Sequence, residues 1–321
     1  MQGVIHKEIP VSELLKHEMN FCLGCYACMS ACPAGVKYDE ILETGRRAIP
    51  LGRIKRGLLR FLFAKKSRLR LLTRLFMPWK KTAREMLPAV IPAIGPLRAR
   101  VALFTGCVMD MMSAAIHVDS VKVLTYNGCE VHLLDSEECC GALLGHAGDE
   151  EGAEHLVQRN TEVFRKTSLD AIVVNAAGCG AYLKKHGEFF DIQEFLDRIG
   201  LVEPTTMISK KVAVQEPCHL VHAQKVSQQV TNLLKKIPGI TLVPLEGAKD
   251  CCGSAGIYNI TQNELSMEIL DQKMEKIRKA NIEVLVTGNP GCMFQFRYGA
   301  KKFGLNLEVV HPVELLARSL D

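Results

Sequence analysis

Twelve of the thirteen cysteines fall into three groups of four, and this grouping predicts a metal-binding protein. Two groups repeat one pattern, in which a single cysteine is followed by a Cys-Cys-Gly triplet and then by another cysteine. Matching cysteines of the two groups lie 111, 112 and 113 residues apart. Thiolates held in such groups are soft ligands for iron–sulfur clusters or zinc. The members are Cys107, Cys139, Cys140 and Cys179 in the first group, and Cys218, Cys251, Cys252 and Cys292 in the second.

The third group lies near the N-terminus and consists of Cys22, Cys25, Cys28 and Cys32 followed by Pro33. The spacing C-x2-C-x2-C-x3-C-P is typical of a bacterial [4Fe–4S] run, whose fourth cysteine binds the other cluster of a two-cluster module. Four cysteines within eleven residues suit a cluster better than structural zinc. Because one such run is present, we expect a longer form of the chain or another polypeptide to supply the second. A lone cluster closed by a remote cysteine is the alternative.

Strands and helices are predicted to alternate after residue 97. Short apolar strands at 100–104, 130–134, 171–174, 211–214, 240–243 and 284–286 are separated by helices such as 111–126 and 148–166. This alternation predicts parallel α/β layers. Every cysteine of the repeat follows a strand, and sites in parallel sheets form at the carboxyl ends of strands. Four thiolates should therefore meet in each copy.

The predicted fold class is α/β, with an N-terminal helical, ferredoxin-like cluster segment followed by two repeated parallel α/β cysteine-rich domains. The predicted boundaries are 1–45 for the cluster segment, 46–97 for a basic helical arm and linker, 98–205 for the first repeat and 206–321 for the second.

The composition predicts a cytoplasmic protein with reduced thiols. Hydrophobic residues make up 48% and charged residues 23% of the chain, which is ordinary for a globular protein. The first seven residues do not resemble a signal peptide, and no apolar run reaches the roughly 18 residues of a membrane span. Without export, thirteen cysteines are expected to stay free of disulfides.

A basic segment interrupts this ordinary composition. Between Thr44 and Arg84 there are fourteen Lys or Arg and no acidic residue, which leaves 26 basic and 35 acidic residues elsewhere. The apolar residues of this segment recur at helical spacing. Three roles are open: packing against the core or a partner subunit, lying on anionic lipid at the inner face of the cell membrane, and binding nucleic acid. Few aromatic residues and no known module support the last role, so no nucleic-acid partner is expected.

Several residues near the cysteine groups have simpler interpretations. Cys129 has no counterpart in the second copy and is expected to be a buried structural thiol. Histidines close to the groups are expected to pack or donate hydrogen bonds rather than ligate; they are His146, His219 and His222. Four glycines either let the backbone approach a cluster closely or are plain turn residues. These are Gly141, Gly178, Gly253 and Gly291.

The whole pattern resembles the glycolate oxidase iron–sulfur subunit family and its relatives. These include the iron–sulfur subunits of anaerobic glycerol-3-phosphate dehydrogenase and lactate utilisation, and the cysteine-rich subunit of heterodisulfide reductases. The resemblance rests on Glu138-Cys139-Cys140-Gly141, Glu216-Pro217-Cys218-His219 and Gly288-Asn289-Pro290-Gly291-Cys292, together with the N-terminal run. It implies [4Fe–4S] clusters, one at the N-terminal run and one in each CCG repeat, with all twelve grouped cysteines as ligands. Four thiolates also satisfy zinc, which remains open at the repeats.

The resemblance implies an electron-transfer subunit of an oxidoreductase complex. Clusters move single electrons, whereas oxidising a 2-hydroxy acid removes two, so an FAD-containing dehydrogenase subunit is the expected partner and a quinone the expected type of acceptor. No catalytic residue is predicted in this chain. The alternatives are a subunit for lactate or glycerol 3-phosphate oxidation, a thiol/disulfide reductase and a zinc scaffold. The reductase family has a fifth cysteine in each repeat, where this sequence has Tyr182 and Gln295.

Overall fold

The structure is a computed structural model that describes residues 8–49 and 52–320. Nine strands are found there: β1 Val90–Ile91, β2 Ala99–Phe104, β3 Cys129–His132, β4 Ala171–Val174, β5 Phe190–Asp191, β6 Lys210–Val214, β7 Ile240–Leu242, β8 Val284–Val286 and β9 Glu308–Val310.

Helices surround the strands and form all of the regular structure described before β1. The α-helices of the described residues are α1 Glu13–Phe21, α2 Ala27–Ala31, α3 Tyr38–Ala48, α4 Arg53–Phe63, α5 Lys66–Phe76, α6 Ala83–Met86, α7 Val108–Met112, α8 Ala115–Tyr126, α9 Ala142–His146, α10 Glu150–Arg165, α11 Ala177–Leu183, α12 Ile192–Ile199, α13 Gln228–Lys235, α14 Tyr258–Thr261, α15 Asn263–Ala280, α16 Pro290–Lys302 and α17 Pro312–Arg318. A π-helix spans His219–Ala223.

Two sheets of equivalent strand order confirm the duplicated α/β architecture. The first has the order β1-β3-β2-β4-β5 and the second the order β7-β6-β8-β9. All pairings are parallel except that of β1 with β3. The last strand of each sheet leads directly into a capped helix, at Asp191 in the first repeat and at His311 in the second. The predicted domain boundaries remain a prediction, although each sheet lies within one predicted repeat, apart from β1.

Two local differences from the sequence expectation have physical causes. The proline-rich segment contains β1, which sits between Pro88 and Pro92 at the sheet edge, where prolines are tolerated. The helix expected over 111–126 is two helices, because Ser113 leaves the helical conformation at φ −143°. A short helix, α2, also lies between Cys25 and Cys32.

The two repeats share one apolar core. A continuous cluster of buried side chains runs from Ala83 to Leu320 and contains the inner strands of both sheets. Helix α17 of the second repeat packs on α8 of the first. Burying apolar surface of each repeat against the other removes more apolar surface from water than two separate domains would. Each repeat therefore stabilises the other.

The basic segment forms α4 and α5, which pack against an apolar cluster on the other face of the first sheet. Leu59 is buried in a second apolar cluster that also contains Phe104 and Cys107, and Phe63 and Leu69 pack against it. One face of the helix pair therefore packs against the core, as the first of the three roles expects. No helix of the described residues is both long and apolar enough to cross a membrane.

Candidate metal centres

The four thiols of the first repeat meet at the carboxyl ends of β2, β3 and β4. The sulfur atoms of Cys107 and Cys139 are 3.2 Å apart, and those of Cys140 and Cys179 are 3.1 Å apart. Cys179 is half-buried and the other three are buried. Three loops remote in sequence therefore bring the predicted group together.

The second repeat reproduces this arrangement after β6, β7 and β8. The sulfur atoms of Cys252 and Cys292 are 3.1 Å apart, and Cys251 forms a hydrogen bond with Cys218 that raises the pKa of the Cys218 thiol. Cys218 is half-buried and the other three are buried. The two groups thus share both the order of their cysteines and their position at the sheet edge.

The chemistry of these thiols fits a bound cationic centre. Hydrogen bonding to Cys139 and burial raise the pKa of Cys107 well above its ordinary value, and bonding to Cys251 and burial do the same for Cys218. Four neighbouring thiols cannot all lose their protons in a buried site without a positive charge to neutralise them. A metal centre supplies that charge, and its binding would release the protons.

Among the described residues, no group of three or more His, Cys, Asp or Glu side chains has the geometry of a single-ion site.

The glycine of each Cys-Cys-Gly triplet is required by the backbone. Gly141 has φ +87° and Gly253 has φ +86°, a conformation that side chains disfavour. A Cβ at Gly141 would lie 2.9 Å from the carbonyl oxygen of Ala153, and one at Gly253 would lie 2.7 Å from that of Ser266. Each triplet therefore packs directly on the following long helix. Gly178 has no such constraint and lies in the first turn of α11.

The N-terminal cysteines are partly gathered. Cys25 lies within electrostatic reach of Cys22 and Cys28, and burial is the main cause that raises the pKa of its thiol. Cys32 interacts instead with the backbone: the N–H groups of Val36, Ala34 and Gly35 lower the pKa of its thiol. The division of the four cysteines between two clusters, expected from the run, remains a prediction.

Two histidines after Cys218 dock the N-terminal segment on the second repeat. His219 Nε2 lies 2.9 Å from the carbonyl oxygen of Gly24, and its ring stacks on Tyr26 at 5.0 Å between centroids. His222 Nδ1 lies 2.8 Å from Ser30 Oγ. The N-terminal cysteine loop is therefore fixed beside the second thiol cluster, and Cys25 lies within electrostatic reach of Cys218.

The third histidine also has a packing role. His146 makes edge contacts with the rings of Tyr26, Tyr182 and His219, at the junction of both repeats with the N-terminal segment. Burial lowers the pKa of His146 well below its ordinary value, so its ring stays neutral there. The expectation that these histidines pack or form hydrogen bonds agrees with their contacts. Their role in docking the segment was not predicted, because it depends on residues about 200 positions apart.

One side chain links the two thiol clusters. Asn289 Oδ1 accepts a hydrogen bond of 3.1 Å from the backbone N–H of Gly178, next to Cys179. Its Nδ2 donates to the Cys292 sulfur at 3.5 Å. In the sequence, Asn289 stands out only as part of a motif, since nothing there shows that the two cysteine loops face each other.

A half-buried lysine of the arm lies near the first thiol cluster. Lys66 Nζ lies 2.9 Å from Asp110 Oδ2, 3.1 Å from Glu137 Oε1 and 2.7 Å from Thr105 Oγ1. Burial opposes its charge, but the two carboxylates outweigh burial and raise the pKa of Lys66. The cation in turn favours the thiolate form of Cys107. The arm is therefore part of the environment of the site.

The fold and these sites define a duplicated α/β protein with a four-thiol cluster in each half and a cysteine-rich helical segment beside the second. Residues 101–184 and 212–297 each match the CCG family, described as a cysteine-rich domain. The chain belongs to this CCG family of cysteine-rich proteins, which includes the glycolate oxidase iron–sulfur subunits.

Its relatives support the membership over nearly the whole chain. It is 32% identical to a probable glycolate oxidase iron–sulfur subunit of Bacillus subtilis, over 98% of this chain and 85% of that protein. It is 28% identical to the glycolate oxidase iron–sulfur subunit of Escherichia coli, over 95% of this chain and 83% of that protein. A more partial match is a subunit of the CoM/CoB fumarate reductase from Methanothermobacter marburgensis, at 33% identity over 68% of this chain and 46% of that protein.

Proposed function

We propose that this chain is the iron–sulfur electron-transfer subunit of a flavin-dependent 2-hydroxy-acid dehydrogenase of the glycolate oxidase type. The observation that carries this proposal is the pair of equivalent four-thiol clusters at matching sheet edges, in a chain similar to glycolate oxidase iron–sulfur subunits. The partner would be an FAD-containing dehydrogenase subunit, and the final acceptor a quinone-type molecule. We place the protein in the cytoplasm, where its thiols stay reduced.

The twelve grouped cysteines are the proposed ligands of [4Fe–4S] clusters, one in each repeat and one at the N-terminal run. A cluster at such a site supplies one-electron transfer. In the two repeats, the chain buries six of the eight thiols and leaves Cys179 and Cys218 half-buried, and the triplet loops orient the paired cysteines. Donors such as Asn289 add hydrogen bonds to sulfur, which tune a centre's potential.

The contacts between the sites support an order of electron transfer. The N-terminal loop contacts the second repeat through His219 and His222, and Asn289 joins the second site to the first. We therefore place the second site between the other two. A second ferredoxin-type run, supplied by another polypeptide or a longer chain, would complete the N-terminal module at Cys32.

The residues that stand where the reductase family has its fifth cysteine argue against the disulfide-reductase alternative. Tyr182 is buried and packs on His146, and Gln295 donates a hydrogen bond of 3.0 Å to Ser266 Oγ. Both side chains are integrated in the core, so neither position offers an additional ligand or an open place for a substrate sulfur.

The test is anaerobic purification with the candidate flavoprotein, followed by iron and sulfide counting and EPR during substrate addition. We expect about eight to twelve iron atoms per chain, at four per cluster. Glycolate, lactate and glycerol 3-phosphate are added separately, and a 2-hydroxy acid should reduce the clusters only when the flavoprotein is present. Zinc without iron would overturn the proposal in favour of a scaffold. Reduction of a heterodisulfide by the isolated chain would overturn it in favour of a reductase.

A further inference from the structure

We propose that the outer faces of α4 and α5 form a docking surface for an anionic lipid membrane. This surface, called here the arm surface, consists of the exposed apolar and basic residues between Arg53 and Lys81. The proposal does not depend on which metal the thiol clusters bind or which substrate the complex oxidises.

The outer face of α4 carries an apolar stripe that nothing in the described chain covers. Ile54, Leu58 and Phe61 recur at i, i+4 and i+7, which places them on one side of the helix. They are 88%, 55% and 50% exposed, whereas Leu59 on the opposite side is buried. The helix therefore has two apolar faces, and the core uses only one of them.

Helix α5 extends the stripe. Leu71, Leu75 and Phe76 are each more than 70% exposed. The Arg68 guanidinium lies over the ring of Phe61 at 5.3 Å, which joins the outer faces of the two helices. Trp79, the only tryptophan of the chain, follows α5 and is equally exposed. Tryptophan is favoured at the boundary between water and lipid.

Some basic residues of the segment form ion pairs with acidic residues, and others do not. Several cations are paired with acids of the first repeat or its linker, as Arg60 is with Asp149 and Arg84 with Asp135. Others are exposed and form no ion pair with any described residue. These unpaired cations are Arg53, Lys55, Arg56, Lys65 and Lys81.

This combination fits an anionic membrane better than a nucleic acid. Helices that lie in a lipid interface bury an apolar face among acyl chains while flanking Lys and Arg bind acidic headgroups. A nucleic acid would use the cations but leave the apolar stripe in water. The segment holds no acid between Thr44 and Arg84 that could repel an anionic surface.

The test is flotation of the whole protein with lipid vesicles. Vesicles of equal phosphatidylcholine and phosphatidylglycerol should bind the protein, and pure phosphatidylcholine vesicles should bind it at least tenfold less. Binding should weaken at about 0.5 M NaCl because salt screens the charges. The emission of Trp79 should shift to shorter wavelength on binding and be quenched by brominated lipid, which reports insertion of the arm itself.

Matched variants distinguish vesicle binding through the arm surface from non-specific adsorption of the protein to lipid. Leu71→Ser with Leu75→Ser, and separately Lys55→Gln with Lys65→Gln, should each weaken binding roughly tenfold or more. The controls remove equally exposed residues of the second repeat: Met207→Ser with Ile260→Ser, and Lys235→Gln with Lys301→Gln. They should bind as the unchanged protein does, with the same circular dichroism and metal content in all variants.

Three results would overturn the proposal. The first is equal or absent binding to both vesicle types. The second is unchanged binding of the arm variants. The third is self-association in sedimentation experiments that the arm variants abolish while vesicle binding is absent, which would make the arm surface a protein interface.

Discussion

At the scale of single residues, the account depends on small groups that hold the cysteine loops in place. Gly141 and Gly253 show this most directly, since both have a positive φ and both would place a Cβ against a backbone carbonyl of the next long helix. The doubled Cys-Cys-Gly triplet is therefore a structural as well as a chemical repeat.

Replacing Gly141 with alanine should destabilise the first site. The strained backbone costs about 1–2 kcal/mol, and relief of the 2.9 Å approach to Ala153 adds to it. We expect a loss of at least about 2 kcal/mol of stability in urea unfolding and less bound metal. Gly178→Ala is the control, because its Cβ meets nothing closer than 3.5 Å. Equal effects of the two substitutions would show that the triplet glycine has no special role.

Asn289→Ala should lower the reduction potential of the second site. It removes the N–H group that donates to the Cys292 sulfur, and such bonds stabilise the more negative, reduced state. A hydrogen bond with a net free energy of about 1 kcal/mol corresponds to a shift of a few tens of millivolts in the potential of a one-electron couple. EPR-monitored redox titration measures this shift. Asn289→Asp, which lacks the donor but keeps an acceptor for the Gly178 N–H, should shift the potential in the same direction, and an unchanged potential in both would refute the role.

At the scale of elements, the arm is attached to the first repeat by packing and by charge. Arg60 on α4 forms two hydrogen bonds of 2.6 Å with the carboxylate of Asp149, which stands at the N-terminus of α10. The Arg60 guanidinium lowers the pKa of that carboxyl. Removing Arg60 would leave a carboxylate with a 3% exposed side chain without its partner.

Arg60→Ala should therefore cost about 2 kcal/mol, less than for a fully buried pair because the Arg60 side chain keeps 35% of its surface exposed. Urea unfolding at pH 7 measures the loss. Arg53→Ala on the same helix removes a cation without an ion pair and should change the stability by less than about 0.5 kcal/mol. If both variants lose the same stability, the ion pair does not anchor the arm.

The elements themselves could largely be predicted from the sequence. The six strands that lead to cysteines and the long helices α8 and α10 lie close to their predicted positions, because apolar periodicity and duplication both mark them. The edge strand β1 and the break at Ser113 were not predicted. The first depends on pairing with a distant strand, and the second on packing after Cys107.

At the scale of the whole molecule, the two repeats act as one unit. Asn175 lies between the two repeats. Its side-chain Nδ2 donates to His117 Nδ1 at 2.9 Å, and its backbone carbonyl oxygen accepts from His311 Nε2 at 2.8 Å. Both histidines are fully buried, and burial lowers the pKa of His117 to about 4 and that of His311 to about 3. They are neutral in the folded protein.

Stability should fall in acid for this reason. The unfolded chain binds protons at its histidines below about pH 6.5, whereas the folded chain leaves His117 neutral until about pH 4. The contribution of His117 to the stability is therefore complete above about pH 6.5 and is lost as the pH falls toward 4. At about pH 4.5 this loss is about 2 kcal/mol. His117→Gln should reduce the loss between about pH 7 and pH 4.5 by that amount, measured by urea unfolding. Asp191, whose pKa is raised to about 7 by burial, titrates in both proteins and cancels. Parallel curves would refute this role of His117.

The relation between the sites is the part that the sequence could not provide. Spacing alone predicted the members of each thiol cluster, since strand ends meet at one sheet edge. It did not show that the N-terminal loop docks on the second repeat, that Lys66 lies near Cys107, or that the repeats share one core. These features depend on contacts between segments far apart in the chain, where local pattern carries no information.

The measurement that tests the central claim most directly is the iron and sulfide content of the anaerobically purified protein and two single-cysteine variants. Cys252→Ala removes a predicted ligand of the second site, and Cys129→Ala removes a buried thiol outside all three groups. We predict about four fewer iron atoms and the loss of one EPR signal in Cys252→Ala, with Cys129→Ala unchanged. Iron absent from the unchanged protein, or equal iron in all three, would contradict the account.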